Sequence, residues 1–363
     1  MKKLVLCVDN SDGSTLASGA ALGLAKKLGL EVTGVHGYNA VMHEGAFRMM
    51  EPILPERFQK EEILKKQREV HSSLISVGMR KISLSYLKPH QAEFEAAGVA
   101  FQGKVAEGKN FKALEELISA EDPDLTVIGA TGFSDESKSV EGFLGSVCLR
   151  VVRDLDRDFL VVKKPVNLDN PVYVVGLDGS AAALKTLSSA KTLAVETGAT
   201  LHLVYVFDTK LHRDVFAKLK DALINSEGFK FNTAEQDKNH DEFIDKGLHG
   251  VGMKILSRGV EEVLGTAPNS SGGVSGVSGV SGGFGLVGDA ANPPFITKVL
   301  EGYTHKRICE YAAEVGADMI FVGRTGRHFI EGMDLGSTAE NVLRYAAANV
   351  FVTGHIEHDG WRI

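Results

Sequence analysis

The sequence predicts an α/β fold, a mostly parallel sheet covered by helices on both sides and built twice. Three observations carry this expectation. Short apolar runs alternate with longer helical patterns along the whole chain. The order of those segments repeats in the second half. Several of the apolar runs, LVLCVD, VYVVGLD, DLTVIGATG and DMIFVGRTG among them, end in Asp or Gly, residues that fit strand ends and turns better than strand interiors. Strands apolar on both faces and separated by helices are those of a parallel sheet, in which each crossover is a helix.

The elements follow in order. LVLCVD (4–9) is a strand ending in Asp9. NSDGS is a turn, and STLASGAALGLAKKLG is a helix closed by a glycine. EVTGVHGY (31–38) is the second strand. Residues 55–90 are charged and helical, and form an insertion that serves as a flap or a dimer surface. VAFQGKVAEG (99–108), the helix FKALEELISA and DLTVIGATG (124–132) follow. Gly145-Ser146 then opens a helix, and DFLVVKK (158–164) is the last strand. The second copy runs VYVVGLD (172–178), SAAALKTLSSAKTLAVETG, TLHLVYVF (200–207), ITKVLEG (296–302), THKRICEYAAEVG, DMIFVGRTG (318–326), Gly336-Ser337 and NVFVT (349–353). PVNLDNP (165–171) is the joint. The expected domains are 1–166 and 170–356. The second carries a long insertion at 209–294 with two helical parts, and a glycine-rich loop at 270–288 that reads as mobile or as a lid.

The totals exclude several classes. The chain has 363 residues, 44% hydrophobic and 24% charged, with 47 acidic against 40 basic residues and no basic block. Nucleic acid is therefore not an expected partner. MKKLVLCVDN is too short and too early interrupted by Asp for a signal peptide, and no run of 18 apolar residues occurs. The expectation is a cytoplasmic chain without membrane insertion. Cys7, Cys148 and Cys309 are odd in number and far apart, which suits buried thiols in a reducing compartment.

The richest segment is Gly323-x2-Gly326-x9-Gly336-Ser337-Thr338, placed between a strand and a helix. Phosphate needs backbone N–H groups at close approach, and glycine removes the side chain that would prevent it. Ser or Thr at the helix start adds a hydroxyl donor. Arg324, Arg327 and His328 add positive charge to the loop. Asp178, at the end of its strand, can accept from an adenine amino group or a ribose hydroxyl, and Val206 can supply backbone contacts to the base.

These residues resemble the ATP-binding branch of the universal stress protein family, whose members carry Gly-x2-Gly-x9-Gly followed by Ser or Thr, together with an Asp closing the first strand. The resemblance covers both halves apart from the two insertions. It implies two tandem doubly wound parallel five-stranded sheets in the order 3-2-1-4-5, adenine-nucleotide-hydrolase-like, with domains that pair through the last strand. It implies ATP, with AMP or ADP as alternatives, bound by Asp178, Val206, Gly323, Gly326, Gly336 and Ser337, with Thr338 beside the phosphates. It also implies a stress or signalling role.

The first half departs from the pattern. Asp9, Gly129, Gly132, Gly145 and Ser146 are its counterparts, but twelve residues separate Gly132 from Gly145. Gly142 would restore the spacing of nine, yet Phe143 follows it. The intervening loop carries Asp135, Glu136 and Glu141 against Lys138, and Gly37 stands where the second half has Val206.

Other signals carry less. Gly98-Val-Ala-Phe-Gln-Gly103-Lys104 lacks the Ser or Thr of a P-loop and runs into a strand. Gly283, Gly285 and Gly288 match a dinucleotide fingerprint by letters only. His355 and His358 suit a solvated tail, and His36 a satisfied core histidine. No metal site is expected. Ser337 has no base at a recognisable spacing, so no catalytic residue is assigned. Binding is expected over turnover. Slow ATP hydrolysis or autophosphorylation near Ser337 or Thr338, assisted by Mg²⁺, is the most chemistry foreseen. Two rival readings stand. One is a nucleotide-free interaction module that docks a protein partner, or a second copy, through the inserted helix and the glycine-rich loop. The other is an enzyme on an adenylated substrate, with His240 or His249 as its only nominees.

Overall fold

The computed structural model describes residues 1–132, 143–210, 214–215, 218–219, 233–265, 285–286, 292–327 and 334–355. The chain divides into two compact units, Met1–Val166 and Asn167–Ile363.

In the first unit β1 (Lys3–Cys7) pairs in parallel with β2 (Glu31–Tyr38) and with β4 (Leu125–Gly129). β3 (Phe101–Glu107) extends β2, and β5 (Phe159–Val162) extends β4, both in parallel. The order is β3-β2-β1-β4-β5. Leu4, Val5 and Leu6 on the central strand are fully buried, as a strand covered on both faces requires. α1 (Asp12–Leu28) begins where the Ser11 Oγ accepts from the Ser14 N–H at 3.0 Å, and stops at Gly29 in the left-handed region. α4 (Asn110–Glu121) and α5 (Ser146–Asp154) supply the other crossovers. The insertion is two helices, not one. α2 (Ala40–Met50), unforeseen in the sequence, precedes two short 3-10 turns and α3 (Glu61–Ala96).

The second unit repeats the plan. β6 (Val172–Gly176) pairs in parallel with β7 (Thr200–Phe207) and β10 (Met319–Gly323). β9 (Phe295–Glu301) follows β7, and β11 (Asn349–Thr353) follows β10. One strand departs from the expected parallel sheet. β8 (Gly285–Leu286) runs antiparallel to β9, so this sheet is mixed. Gly285 and Leu286 come from the glycine-rich segment and stand at the sheet's rim, where a short strand has one neighbour to satisfy. The rest of 270–288 lies outside the described residues.

α6 (Ala181–Thr197) is capped by the Ser180 Oγ, which accepts from the Ala183 N–H at 3.2 Å, and ends at Gly198 in the left-handed region. α7 (Thr233–Gly259) continues into a π turn over Val260–Leu264. The first expected helix of the 209–294 insertion falls largely outside the described residues. α8 (Thr304–Glu314) and α9 (Ser337–Tyr345) complete the unit. Among the described residues no helix is long and apolar enough to cross a membrane.

Candidate functional site

Parallel strands deliver their carboxyl ends to one edge, and the crevice lies where neighbouring crossovers leave on opposite faces. In the second unit that place is between β6 and β10. A cleft of about 220 Å³ opens there, and Asp178, Val206, Gly323, Gly326, Gly336, Ser337 and Thr338 all line it. Three separate segments of sequence thus converge. Leu177, Thr304 and Ile308 complete the wall. Sequence reasoning missed these; the apolar face of the helix THKRICEYAAEVG was the available signal for Ile308.

The Asp178 carboxylate is set by its own turn. Oδ1 accepts from the Ser180 N–H at 2.9 Å and from the Ser180 Oγ–H at 2.6 Å. Oδ2 accepts from the Arg327 N–H at 2.7 Å, and Arg327 Nη2 donates to the Asp178 carbonyl at 2.6 Å. Arg327 is exposed and spans the cleft rim. Burial pushes the Tyr205 phenol up, while Arg327 beside it pulls the other way.

Each glycine stands where the chain folds back on itself. A Cβ on Gly323 would lie 3.0 Å from the Thr325 carbonyl oxygen, and one on Gly336 would lie 3.2 Å from that of Arg324. The Gly336 N–H donates to the Arg324 carbonyl at 2.8 Å, so this amide closes the loop and does not face a ligand. The amides offered are those of the next residues. Gly336 caps α9 without a side-chain acceptor, unlike Ser11 and Ser180 at α1 and α6. The first turn of α9 thus has no side-chain cap, and the positive end of the helix dipole faces the cleft that Ser337 and Thr338 line.

Arg324, foreseen as a loop charge, is instead turned inward and only 2% exposed; its Nη1 donates to the Asp334 carbonyl at 2.6 Å. His328 lies outside the described residues.

The first unit has a second cleft, of about 360 Å³, lined by Asp9, Gly129, Gly132, Gly145 and Ser146. Asp9 repeats the arrangement of Asp178: its Oδ1 accepts from the N–H and Oγ–H of Ser11. Gly145 again caps a helix without a side chain. Here too the lining includes residues the sequence did not point to. His36, read as a core histidine, is half-buried in the cleft wall, its Nδ1 2.6 Å from the Val8 carbonyl and its ring edge-on to Tyr86 at 5.4 Å. Burial holds His36 below the ordinary histidine value. Tyr86 arrives from the inserted α3, so no local pattern could announce it. Cys7 and Cys148 are buried at the same cleft, and burial pushes the Cys148 thiol up to about 12 and Cys7 further in the same direction. Neither is a thiolate at neutral pH. The acidic loop residues Asp135, Glu136, Lys138 and Glu141, and Gly142, lie outside the described residues.

Two expectations are corrected. Cys309, on α8, is half-buried and not enclosed in the core. His355 is not part of a solvated tail. Its Nδ1 is 3.3 Å from the Thr325 Oγ1, and its carbonyl accepts from Lys185 Nζ at 3.2 Å. His358 lies outside the described residues. Among the described residues no group of three or more His, Cys, Asp or Glu side chains stands together as a metal site would require.

Comparison with known proteins extends these observations. The chain is 27% identical over 241 residues to a universal stress protein of Synechocystis sp., an alignment covering 63% of this chain and 79% of that protein. It is 28% identical over 169 residues to a universal stress protein of Methanocaldococcus jannaschii, covering 45% and 83%. A solved universal stress protein structure from Archaeoglobus fulgidus shares the fold with a TM-score of 0.56 at 19% identity, over 97% of this chain and 98% of that one. The family model described as Universal stress protein family matches residues 1–163 and 286–354. That match takes in the whole lining of the first cleft and the Thr304–Ala339 side of the second, and leaves out 164–285, where Asp178 and Val206 lie; it spans more than half of the chain, which therefore belongs to the universal stress protein family.

Proposed function

We propose that the second unit binds an adenine nucleotide, ATP in the first place, and that the chain serves in stress or signalling as a nucleotide-responsive protein. One observation carries this reading. Seven residues singled out from sequence spacing, spread over Asp178–Thr338, line a single cleft at the carboxyl ends of parallel strands. The α9 amides and the hydroxyls of Ser337 and Thr338 suit the phosphates, and Asp178 with the β7 backbone at Val206 suits the adenosine. Mg²⁺ would enter with the nucleotide, since phosphate oxygens and the two hydroxyls supply the hard donors it prefers. The cleft volume of about 220 Å³ falls below the ~300–1,000 Å³ typical of small-molecule sites.

Binding is favoured over turnover. Among the described residues no carboxylate or imidazole is hydrogen-bonded to the Ser337 or Thr338 hydroxyl, and the reading assigns neither a catalytic role. The test is nucleotide released from the denatured protein, and calorimetric titration with ATP of the wild type and Gly336→Val. ATP bound by the first and lost in the second supports the site. Absence of bound or binding nucleotide in the wild type removes it. Phosphate release equal in both proteins removes slow hydrolysis as well.

A second reading rests on α2 and α3. Met49, Ile53 and Leu74 are 82%, 80% and 67% exposed, and Met42, Val70 and Val77 are exposed near them. Such a collection of apolar side chains marks a protein-docking face. In that reading the insertion is the working surface and the clefts are inherited with the fold.

A further inference from the structure

His36 and Tyr205 hold the same place in the two units. Each follows the last residue that its strand pairs with the central one, Val35 with Cys7 and Val204 with Gly176. In each unit a helix of the insertion packs against that place, and the two helices do so differently. α7 brings Gly252, where a Cβ would lie 2.5 Å from the Tyr205 ring, so the helix backbone covers the ring and leaves it only 8% exposed. The wall of the second cleft is there made by Val204 and Val206 on either side of it. α3 brings a side chain instead. The Tyr86 ring stands edge-on to His36, at 5.4 Å and 84°, and both residues line the first cleft. In the first unit the insertion thus builds part of the cleft itself.

The hydrogen bond of His36 fixes the role of each of its nitrogens. A carbonyl only accepts, so the Nδ1 that lies 2.6 Å from the Val8 carbonyl carries the proton. Burial favours the uncharged ring. In that ring Nε2 accepts and does not donate, so it meets a ligand's donor and repels a ligand's acceptor. In an edge-on pair the ring that gives its edge keeps its faces for a third ring. The cleft is large enough for one: its volume of about 360 Å³ lies within the ~300–1,000 Å³ typical of small-molecule sites.

We propose that His36 and Tyr86 form the base-binding end of the first cleft and select a purine that carries an amino group. The amino group donates to His36 Nε2, and the base packs on the Tyr86 ring. This extends ligand binding to the first unit, and it takes the choice of a purine from the adenine reading given above. A purine without the amino group fills the same space but leaves the histidine nitrogen without a donor once water is displaced, which is the costly outcome for an enclosed acceptor.

The experiment compares adenosine with purine riboside, which is adenosine without its amino group. Both are titrated by calorimetry into the full chain carrying Gly336→Val, so that the second cleft is silent. Adenosine should bind about tenfold more tightly, the scale of one hydrogen bond to an enclosed acceptor. His36→Leu should bring the two nucleosides within about twofold of each other, whereas a residue that only supports the fold would weaken both alike. Tyr86→Phe should keep adenosine affinity within about twofold, and Tyr86→Ala should lower it by about three- to tenfold, the worth of one aromatic contact. Tyr86→Trp gives a second reading that needs no silencing. Combined with Trp361→Phe it carries the single indole of the chain, whose fluorescence adenosine should quench saturably. If the Gly336→Val chain does not fold, that quenching compares the two nucleosides in its place. Equal affinities for the two nucleosides overturn the role of His36, and an adenosine affinity unmoved by Tyr86→Ala overturns that of Tyr86. Adenosine that binds the wild type, yet neither binds the Gly336→Val chain nor quenches the introduced indole, leaves the second cleft as the site and overturns this inference alone. A wild type that binds neither nucleoside nor ATP removes the adenine reading, and the inference with it.

Discussion

The Gly326 backbone lies directly against the Asp178 carboxylate: a Cβ added at Gly326 would stand 2.4 Å from Asp178 Oδ2. Asp178 cannot retreat easily, because its other oxygen is held by both donors of Ser180. Gly326→Ala is therefore expected to turn the carboxylate from its place at the cleft. ATP affinity should fall by about tenfold or more, the cost of one lost charge-assisted contact, while the melting temperature changes by only a few degrees. Titration calorimetry and thermal unfolding check both halves of this expectation. Unaltered affinity would show that the carboxylate does not meet the ligand.

The first unit contains a tighter approach. A Cβ on Gly13 would lie 2.3 Å from the Thr131 carbonyl oxygen, and one on Gly129 would lie 2.6 Å from the Gly13 backbone. Ala182 is the counterpart of Gly13, four residues after Asp178 as Gly13 is after Asp9, and there a methyl is accommodated. Gly13→Ala is expected to destabilise the chain by about 1–3 kcal/mol through overpacking against backbone. Urea unfolding measures it; a midpoint equal to that of the wild type would refute the close approach.

Acid should weaken the protein before its carboxylates titrate. Burial lowers the values of His36, His90 and His202 in the folded state. The unfolded chain then takes up protons near pH ~6.5 that the folded chain refuses. Stability is full above that value and falls as pH drops through the window below it. The carboxylates of Glu121 and Asp124 are held below their ordinary range, by Lys104 and by backbone N–H groups respectively, so their contributions are lost only at lower pH. Urea midpoints at about pH 7.5, 6.5 and 5.5 should decline across the last interval, less so in His202→Gln. Equal midpoints in the wild type would contradict the expectation.

The exposed face of the insertion gives a separate test. If it docks a protein, Leu74→Glu with Met49→Glu should abolish self-association or partner capture and leave ATP affinity unaltered. Surface changes of this kind cost within about 0.5 kcal/mol of stability. Sedimentation velocity at increasing concentration, with calorimetry alongside, separates the two outcomes. Identical sedimentation in both proteins would rule out a second copy as the occupant.

The repeat was legible because each unit is written in local signals. Ser11 and Ser180 cap their helices, Gly29 and Gly198 end them, and Asp9 and Asp178 follow apolar strands. The cleft residues were legible for the same reason, as they sit at strand ends and helix starts. What escaped was tertiary. Tyr86 belongs to the first cleft only because α3 packs on that side of its sheet, and Thr304 and Ile308 only because α8 follows β9. Arg324 is legible as a charge of the glycine loop and lines its cleft, but its burial is not, because a loop position does not say which way a side chain turns. His355 was assigned to solvent for its nearness to the end of the chain, though Thr325 and Lys185 hold it.

The bonds from Gly336 to Arg324 and from Gly145 to Ala130 fasten each glycine loop at its base. Whatever length of chain lies above such a clasp, the helix start beneath it is placed by the clasp alone. Eleven residues separate the clasped pair in one unit and fourteen in the other, a change that costs only a few tenths of a kcal/mol in closure entropy. Evolution can therefore lengthen, shorten or recharge these crowns, and so alter what each unit responds to, without rebuilding the floor on which a ligand would rest.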